Sequence, residues 1–95
     1  MNLPADFQPV IIDLVKVHFP KETFEHQKEI QTVFAEYVFI HLIKELDPKT
    51  TEELISHPEL TTPTLTRIFK KAFPDIENRI RELFHQFNKE NGYNT

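Results

Sequence analysis

The chain has no cysteine, no tryptophan and a single glycine, and Ser56 is its one serine. The lack of cysteine excludes disulfides, thiolate metal sites and cysteine nucleophiles, and it favours a reducing compartment. One glycine cannot form a glycine-rich phosphate loop, and no glycine-flanked nucleophile turn surrounds Ser56. We therefore predict that this protein is not an enzyme.

Long apolar runs are also missing, since nothing approaches the ~20 uninterrupted apolar residues of a membrane span. The apolar segment over residues 10–17 is interrupted by Asp13 and Lys16, and no basic residue precedes it. It therefore does not match a secretory signal. We expect a soluble, cytoplasmic protein that consists of one helical domain over residues 1–95, with residues 92–95 as a frayed tail.

The net charge of −4 disfavours indiscriminate binding to nucleic acid. The charge is unevenly distributed along the chain. Residues 21–60 contain nine acidic and four basic side chains, whereas residues 61–95 contain four acidic and six basic ones. An acidic middle and a mildly basic end can attract each other between two copies, or they can mark two different surfaces.

Apolar side chains in residues 30–46 recur at the three- and four-residue steps that are typical of a helix. Between Tyr37 and Ile43 only His41 is polar, so the apolar stripe nearly surrounds this segment. A stripe of that width needs neighbours on more than one side. We predict an all-α fold, a small bundle of about five helices packed around a long central helix over about residues 21–46.

Capping residues predict where the first two helices begin. Asp6 is a candidate N-cap for a helix over residues 7–17, with Pro9 in its first turn. Pro20 is the candidate first residue of the central helix, because proline suits that position.

The later helices have their own start signals. Thr50 and Glu53 match a capping box, and Thr62 followed by proline predicts the next helix. A regular apolar stripe over residues 76–87 predicts the last helix, and Gly92 is placed to adopt a left-handed conformation after its end.

The central helix has more large apolar side chains than one or two neighbours can easily cover. Leaving several of them exposed would lose ~1.5–3 kcal/mol each, out of a net stability of ~5–15 kcal/mol. We predict a non-catalytic interaction module that forms a homodimer or binds another protein; the alternative is a monomer whose bundle covers the helix. The predicted interface residues are Phe34, Tyr37, Val38, Phe39, Ile40 and His41.

The histidines do not predict a metal site. Glu82 and His85 form one Glu-x-x-His pair, whereas di-iron bundles need two such pairs and two further glutamates. We predict no metal and no cofactor. His41 is predicted to be partly buried in a polar seam with Glu45, and the functional alternative is a pH-sensitive or ligand-contacting imidazole.

Residues 51–74 contain a short helix, a tight break and a second helix that begins Thr-Pro-Thr-Leu-Thr-Arg-Ile-Phe, followed by Phe-Pro. This order resembles the helix-turn-helix of bacterial repressors of the tetracycline-repressor type. The resemblance implies DNA binding by the helix over residues 62–71 as the alternative function, although three glutamates of the preceding segment oppose it. The residues that would face DNA are Thr62, Thr64, Thr66, Arg67, Lys70 and Lys71.

A second resemblance extends over about residues 19–90. Its motifs are a Phe-Pro start, Ile-Lys-Glu-Leu at the end of the long helix, Asp-Pro-x-x-Thr-Glu-Glu-Leu and Phe-Pro-Asp-Ile-Glu-Asn-Arg-Ile. This order is similar to that of a family of short, uncharacterised all-helical bacterial proteins. The resemblance implies an all-α architecture and a bacterial origin, and it assigns no site.

Overall fold

Five α-helices and no strand are present in the computed structural model, which describes residues 3–56 and 61–93. The helices are α1 (Gln8–His18), α2 (Phe24–Glu45), α3 (Pro48–Ser56), α4 (Thr62–Ala72) and α5 (Ile76–Glu90), and a short 3-10 helix, Ala5–Phe7, precedes α1. The predicted all-α bundle around a long central helix is confirmed. Over the described ranges, no helix has both the length and the apolar character that crossing a membrane requires.

The core lies along one face of α2. The buried side chains of α2 are spaced four residues apart, which places them on one side of the helix. α1 and α5 pack against α2 and against each other. The Phe34 ring lies 5.0 Å from the Phe84 ring and 5.2 Å from the Phe87 ring of α5, measured between centroids. The four buried residues of this face are Ile30, Phe34, Val38 and Leu42.

α3 and α4 pack against each other, and α4 contributes the buried residues Leu65, Ile68 and Phe69 to the common core. The Phe69 ring is fully buried, 6.3 Å from the ring of Phe7 and 6.0 Å from the ring of Phe39. The chain is elongated, with extents of 43 × 21 × 18 Å. Within residues 3–56 and 61–93, no helix covers Val33 and Ile40 on the side of α2 opposite the core, and each is more than half exposed.

α5 has the structure that its sequence predicts. Ile76, Ile80, Leu83, Phe84 and Phe87 are all buried. Gly92 has a φ of 73°, in the left-handed region, and follows the helix end at Glu90. These two predictions are confirmed.

The predicted start of α1, residue 7, is one residue early, and the predicted start of α2, about residue 21, is about three residues early. No side chain caps α1, and Asp6 lies exposed within the preceding 3-10 helix. α2 begins at Phe24 rather than near residue 21, because the Thr23 hydroxyl accepts a hydrogen bond from the His26 backbone N–H at 3.1 Å. Pro20 belongs to the turn between the two helices.

The predicted capping box at Thr50 and Glu53 does not start α3. The Asp47 carboxylate instead accepts a hydrogen bond from the Thr50 backbone N–H at 2.6 Å, so the helix begins at Pro48. Hydrogen bonds from the Thr50 side chain and backbone lower the pKa of Asp47 below its usual value.

α4 begins with a cap one residue earlier than predicted. The N-cap is Thr61, whose hydroxyl accepts a hydrogen bond from the Thr64 backbone N–H at 3.4 Å. Thr62 is therefore the first helical residue. Adjacent threonines both satisfy the capping rule, so the sequence alone does not choose between them.

An ion pair joins the C-terminal end of α2 to α5. Arg79 donates from Nε and Nη2 to the two carboxylate oxygens of Glu45, at 2.9 and 2.6 Å, and from Nη1 to Glu82 at 3.1 Å. The Glu45 carboxylate raises the pKa of the Arg79 guanidinium. The two-point geometry fixes the relative position of the two helices.

Asn88 of α5 is wholly buried, and neither its Oδ1 nor its Nδ2 has a hydrogen-bond partner among the described residues. Burying unpaired polar atoms costs free energy that an apolar side chain of similar volume avoids. We expect Asn88→Leu to raise the free energy of unfolding by about 1–3 kcal/mol in urea titrations. The exposed control, Asn78→Leu, loses one exposed hydrogen bond to Asp75 and should lower it by no more than ~0.5 kcal/mol. A loss of stability in Asn88→Leu would contradict this account.

Candidate interaction surfaces

The side of α2 that faces away from the core forms a surface that we call the α2 outer face. Its residues follow at three- and four-residue steps, and all of them are exposed. Val33 is 53% exposed and Ile40 is 51% exposed, and they are two helical turns apart. Charged residues surround this apolar pair. The α2 outer face consists of Glu25, Glu29, Val33, Glu36, Ile40 and Lys44.

A groove runs beside the apolar pair of the α2 outer face. It has a volume of about 400 Å³, and its lining is contributed by α2, the start of α1 and the segment before it. Ile40 forms part of one wall. The groove is therefore open to a side chain that approaches the α2 outer face. Its lining residues are Leu3, Gln8, Thr32, Ala35, Glu36, Phe39 and Ile40.

Two of the predicted interface residues are not available to a partner. Phe34 and Val38 have no exposed surface, because α1 and α5 cover that side of α2. Their assignment to an interface is therefore wrong in this fold. Phe39 is half-buried against the Phe69 ring, and Ile40 is exposed.

Tyr37 and His41 lie on the edge of α2 that faces α5. The two rings are 4.2 Å apart between centroids, and the Tyr37 ring is 5.3 Å from that of Phe87. The predicted polar seam between His41 and Glu45 is replaced by other contacts, since the Glu45 carboxylate binds Arg79. Both rings are half-buried, so this edge is separate from the α2 outer face.

The Tyr37 hydroxyl is buried without a hydrogen-bond partner of good geometry among the described residues. Burial disfavours the phenolate, and the nearby Glu90 carboxylate adds to this, which together raise the pKa of Tyr37 to about 12. The hydroxyl therefore stays protonated at physiological pH.

The second candidate surface is the α4 basic face, which we define as Arg67, Lys70 and Lys71. All three side chains are exposed and follow at helical spacing on one side of α4. Two of the threonines that the helix-turn-helix resemblance assigns to DNA lie elsewhere. Thr66 is 6% exposed, so it cannot reach DNA in this fold, and Thr64 is half-buried.

Acidic groups lie beside the α4 basic face. Lys71 lines a cleft of about 200 Å³ together with Asp47 and Glu53 of the α3 region. These carboxylates reduce the positive potential that a phosphate backbone would meet. Residues 57–60, which contain the turn of the predicted helix-turn-helix, lie outside the described residues. Thr62 is exposed at the first position of α4.

The side chains of Glu82 and His85 have other neighbours in the described part of the chain. Glu82 accepts a hydrogen bond from Arg79, and the exposed His85 ring lies 6.5 Å from the His18 ring. In residues 3–56 and 61–93, no group of three or more potential ligands is arranged to hold a metal ion. His57 is outside the described residues.

Neither a protein-family model, nor a curated protein, nor a solved structure matches this chain. The two sequence resemblances therefore stay predictions. The fold is a small all-α bundle, and in the part of the chain that the structure describes its long central helix has two exposed apolar side chains, Val33 and Ile40. The α2 outer face and the α4 basic face are therefore the two candidate functional surfaces.

Sequence reasoning did not identify Leu3, Thr32 or Glu36 as neighbours of the exposed apolar pair. Leu3 reaches the groove only because the segment before α1 folds back toward α2, which no local pattern indicates. Helical spacing alone does predict the position of Glu36, because it places this residue between Val33 and Ile40 on one face of the helix. A face that alternates apolar and charged residues is easily missed beside the wider core stripe.

Proposed function

We propose that this protein is a non-catalytic interaction module that associates with a second copy of itself through the α2 outer face. The observation that supports this is the pair Val33 and Ile40, each more than half exposed on one uncovered side of the longest helix. Exposed apolar side chains on a shared face are typical of docking surfaces. The groove beside Ile40 offers space for a side chain of the partner.

The expected association is weak. Full burial of a large apolar side chain is worth ~1.5–3 kcal/mol, and these two side chains are already about half buried. Burying both in each of two copies therefore gains roughly a few kcal/mol, from which the loss of translational and rotational freedom is subtracted. We expect a dimer that dissociates on dilution. The solution mass over a dilution series tests the proposal.

Two further features belong to the proposal. A cytoplasmic location is supported by the absence of cysteine. A bacterial origin is supported by the resemblance to short all-helical bacterial proteins over residues 19–90.

DNA binding by α4 is the second candidate function, and the α4 basic face supports it. Three cations on one exposed helix face can contact successive phosphates. The burial of Thr66 and the carboxylates near Lys71 weigh against it. We therefore rank this function below self-association.

Duplex DNA titrations at two salt concentrations test the second candidate. If α4 binds DNA, affinity falls as salt rises, and exchanging Arg67, Lys70 and Lys71 for glutamate abolishes binding without changing the helix content. The matched control changes as much charge elsewhere, through Lys16→Glu, Arg81→Glu and Lys89→Glu, and it should retain most of the affinity. A wild-type chain without salt-dependent affinity for DNA would exclude this function.

A further inference from the structure

We infer that two copies of this chain pair α2 against α2 in antiparallel orientation, about a two-fold axis that passes close to Glu36. This inference rests on the proposed self-association and names its geometry. It uses the positions of four exposed side chains on the α2 outer face: Glu29, Val33, Ile40 and Lys44.

The charges on the α2 outer face distinguish the two possible orientations. A parallel pair in register would place Glu29 against Glu29 and Lys44 against Lys44, so that each charge meets a like charge. An antiparallel pair places Glu29 of one copy against Lys44 of the other, and the symmetry repeats this contact. Opposite charges that face each other favour one orientation and suppress the other.

The apolar pair requires the same axis as the charges. Glu29 and Lys44 are ~22 Å apart along α2, and their midpoint lies between residues 36 and 37. Val33 and Ile40 have the same midpoint. One rotation therefore brings Glu29 against Lys44 and also brings Val33 of one copy against Ile40 of the other. Ile40 borders the groove, so Val33 of the second copy has space to enter beside it.

The two Glu36 side chains approach each other near this axis. Glu36 is exposed and lies at the edge of the groove. Two carboxylates at close range repel each other, and this repulsion offsets part of what the two Glu29–Lys44 pairs contribute. The geometry therefore combines two favourable charge pairs with one unfavourable pair, which keeps the dimer reversible.

Because the chain lacks cysteine, a single introduced cysteine can form a disulfide only with the cysteine introduced in the other copy. Disulfide formation therefore reports which positions face each other in the dimer. Glu29→Cys and Lys44→Cys are purified separately, one of them with a tag that changes its mass. Each is oxidised alone and after mixing, and disulfide-linked dimers are separated by size. Glu77→Cys, on the exposed side of α5, is the control.

The antiparallel pair predicts that the mixture forms a disulfide between Glu29→Cys and Lys44→Cys at least about tenfold faster than either variant links to itself. In a dimer of Glu29→Cys alone, the two introduced thiols would be ~22 Å apart, well beyond the reach of a disulfide. Faster linking of each variant to itself would overturn the antiparallel geometry and leave self-association intact. A dimeric mass without cross-links above the Glu77→Cys control would place the interface elsewhere. A monomeric mass at every concentration would overturn both proposals.

Discussion

Phe34→Ala is expected to lower the free energy of unfolding by about 3–5 kcal/mol. The Phe34 ring has no exposed surface and packs against rings of α5 at centroid distances of 5.0 and 5.2 Å. Truncation removes these contacts and leaves a cavity that rigid helices fill poorly. Against a typical total of ~5–15 kcal/mol, the loss would make the chain marginally stable.

The neighbouring residue supplies the control for this prediction. Val33 is on the α2 outer face and is 53% exposed, so Val33→Ala should change the free energy of unfolding by less than ~0.5 kcal/mol. Urea titrations followed by circular dichroism at low protein concentration measure both variants as monomers. Equal losses in the two variants would contradict the assignment of the buried face of α2.

The double variant Val33→Asp and Ile40→Asp is expected to raise the dissociation constant of the dimer by more than about tenfold. Each copy would bring two extra carboxylates to a face that already contains three glutamates. A loss of only ~1.4 kcal/mol in association free energy corresponds to a tenfold change. Because both residues are more than half exposed, the helix content should stay the same. Sedimentation velocity measures the constant.

Two other exposed apolar residues provide a matched control. Val17 is 72% exposed on α1 and Ile55 is 77% exposed on α3, and neither lies on α2. Val17→Asp with Ile55→Asp adds the same charge as the α2 double variant, so a general charge effect would weaken the dimer equally. We expect the control to keep the wild-type dissociation constant within about twofold, a difference of only ~0.4 kcal/mol. Equal weakening would show that the α2 outer face has no special role.

The sequence predicts which segments are helical more reliably than it predicts the residue at which each helix begins. The stripe of α5 and the central helix follow from periodicity, because a helix repeats its buried positions locally. Helix starts were less accurate, since Asp47 and Thr61 cap in place of their neighbours Thr50 and Thr62. Several adjacent residues can cap a helix, and tertiary packing decides which of them does.

The interface could be predicted only in part. The apolar surplus of α2 correctly indicated neighbours on several sides, but the wide stripe did not show which residues those neighbours would cover. α1 and α5 bury Phe34 and Val38 completely, and the exposed remainder is the narrower pair Val33 and Ile40. That outcome depends on how the other helices pack, which local spacing does not determine.

Static light scattering over a dilution series tests the central claim, self-association through the α2 outer face, most directly. The account predicts a mass that approaches twice the 11.3 kDa of the chain at high concentration and falls toward 11.3 kDa on dilution. The α2 double variant should stay near 11.3 kDa over the same range. A wild-type mass of 11.3 kDa at every concentration would contradict the account.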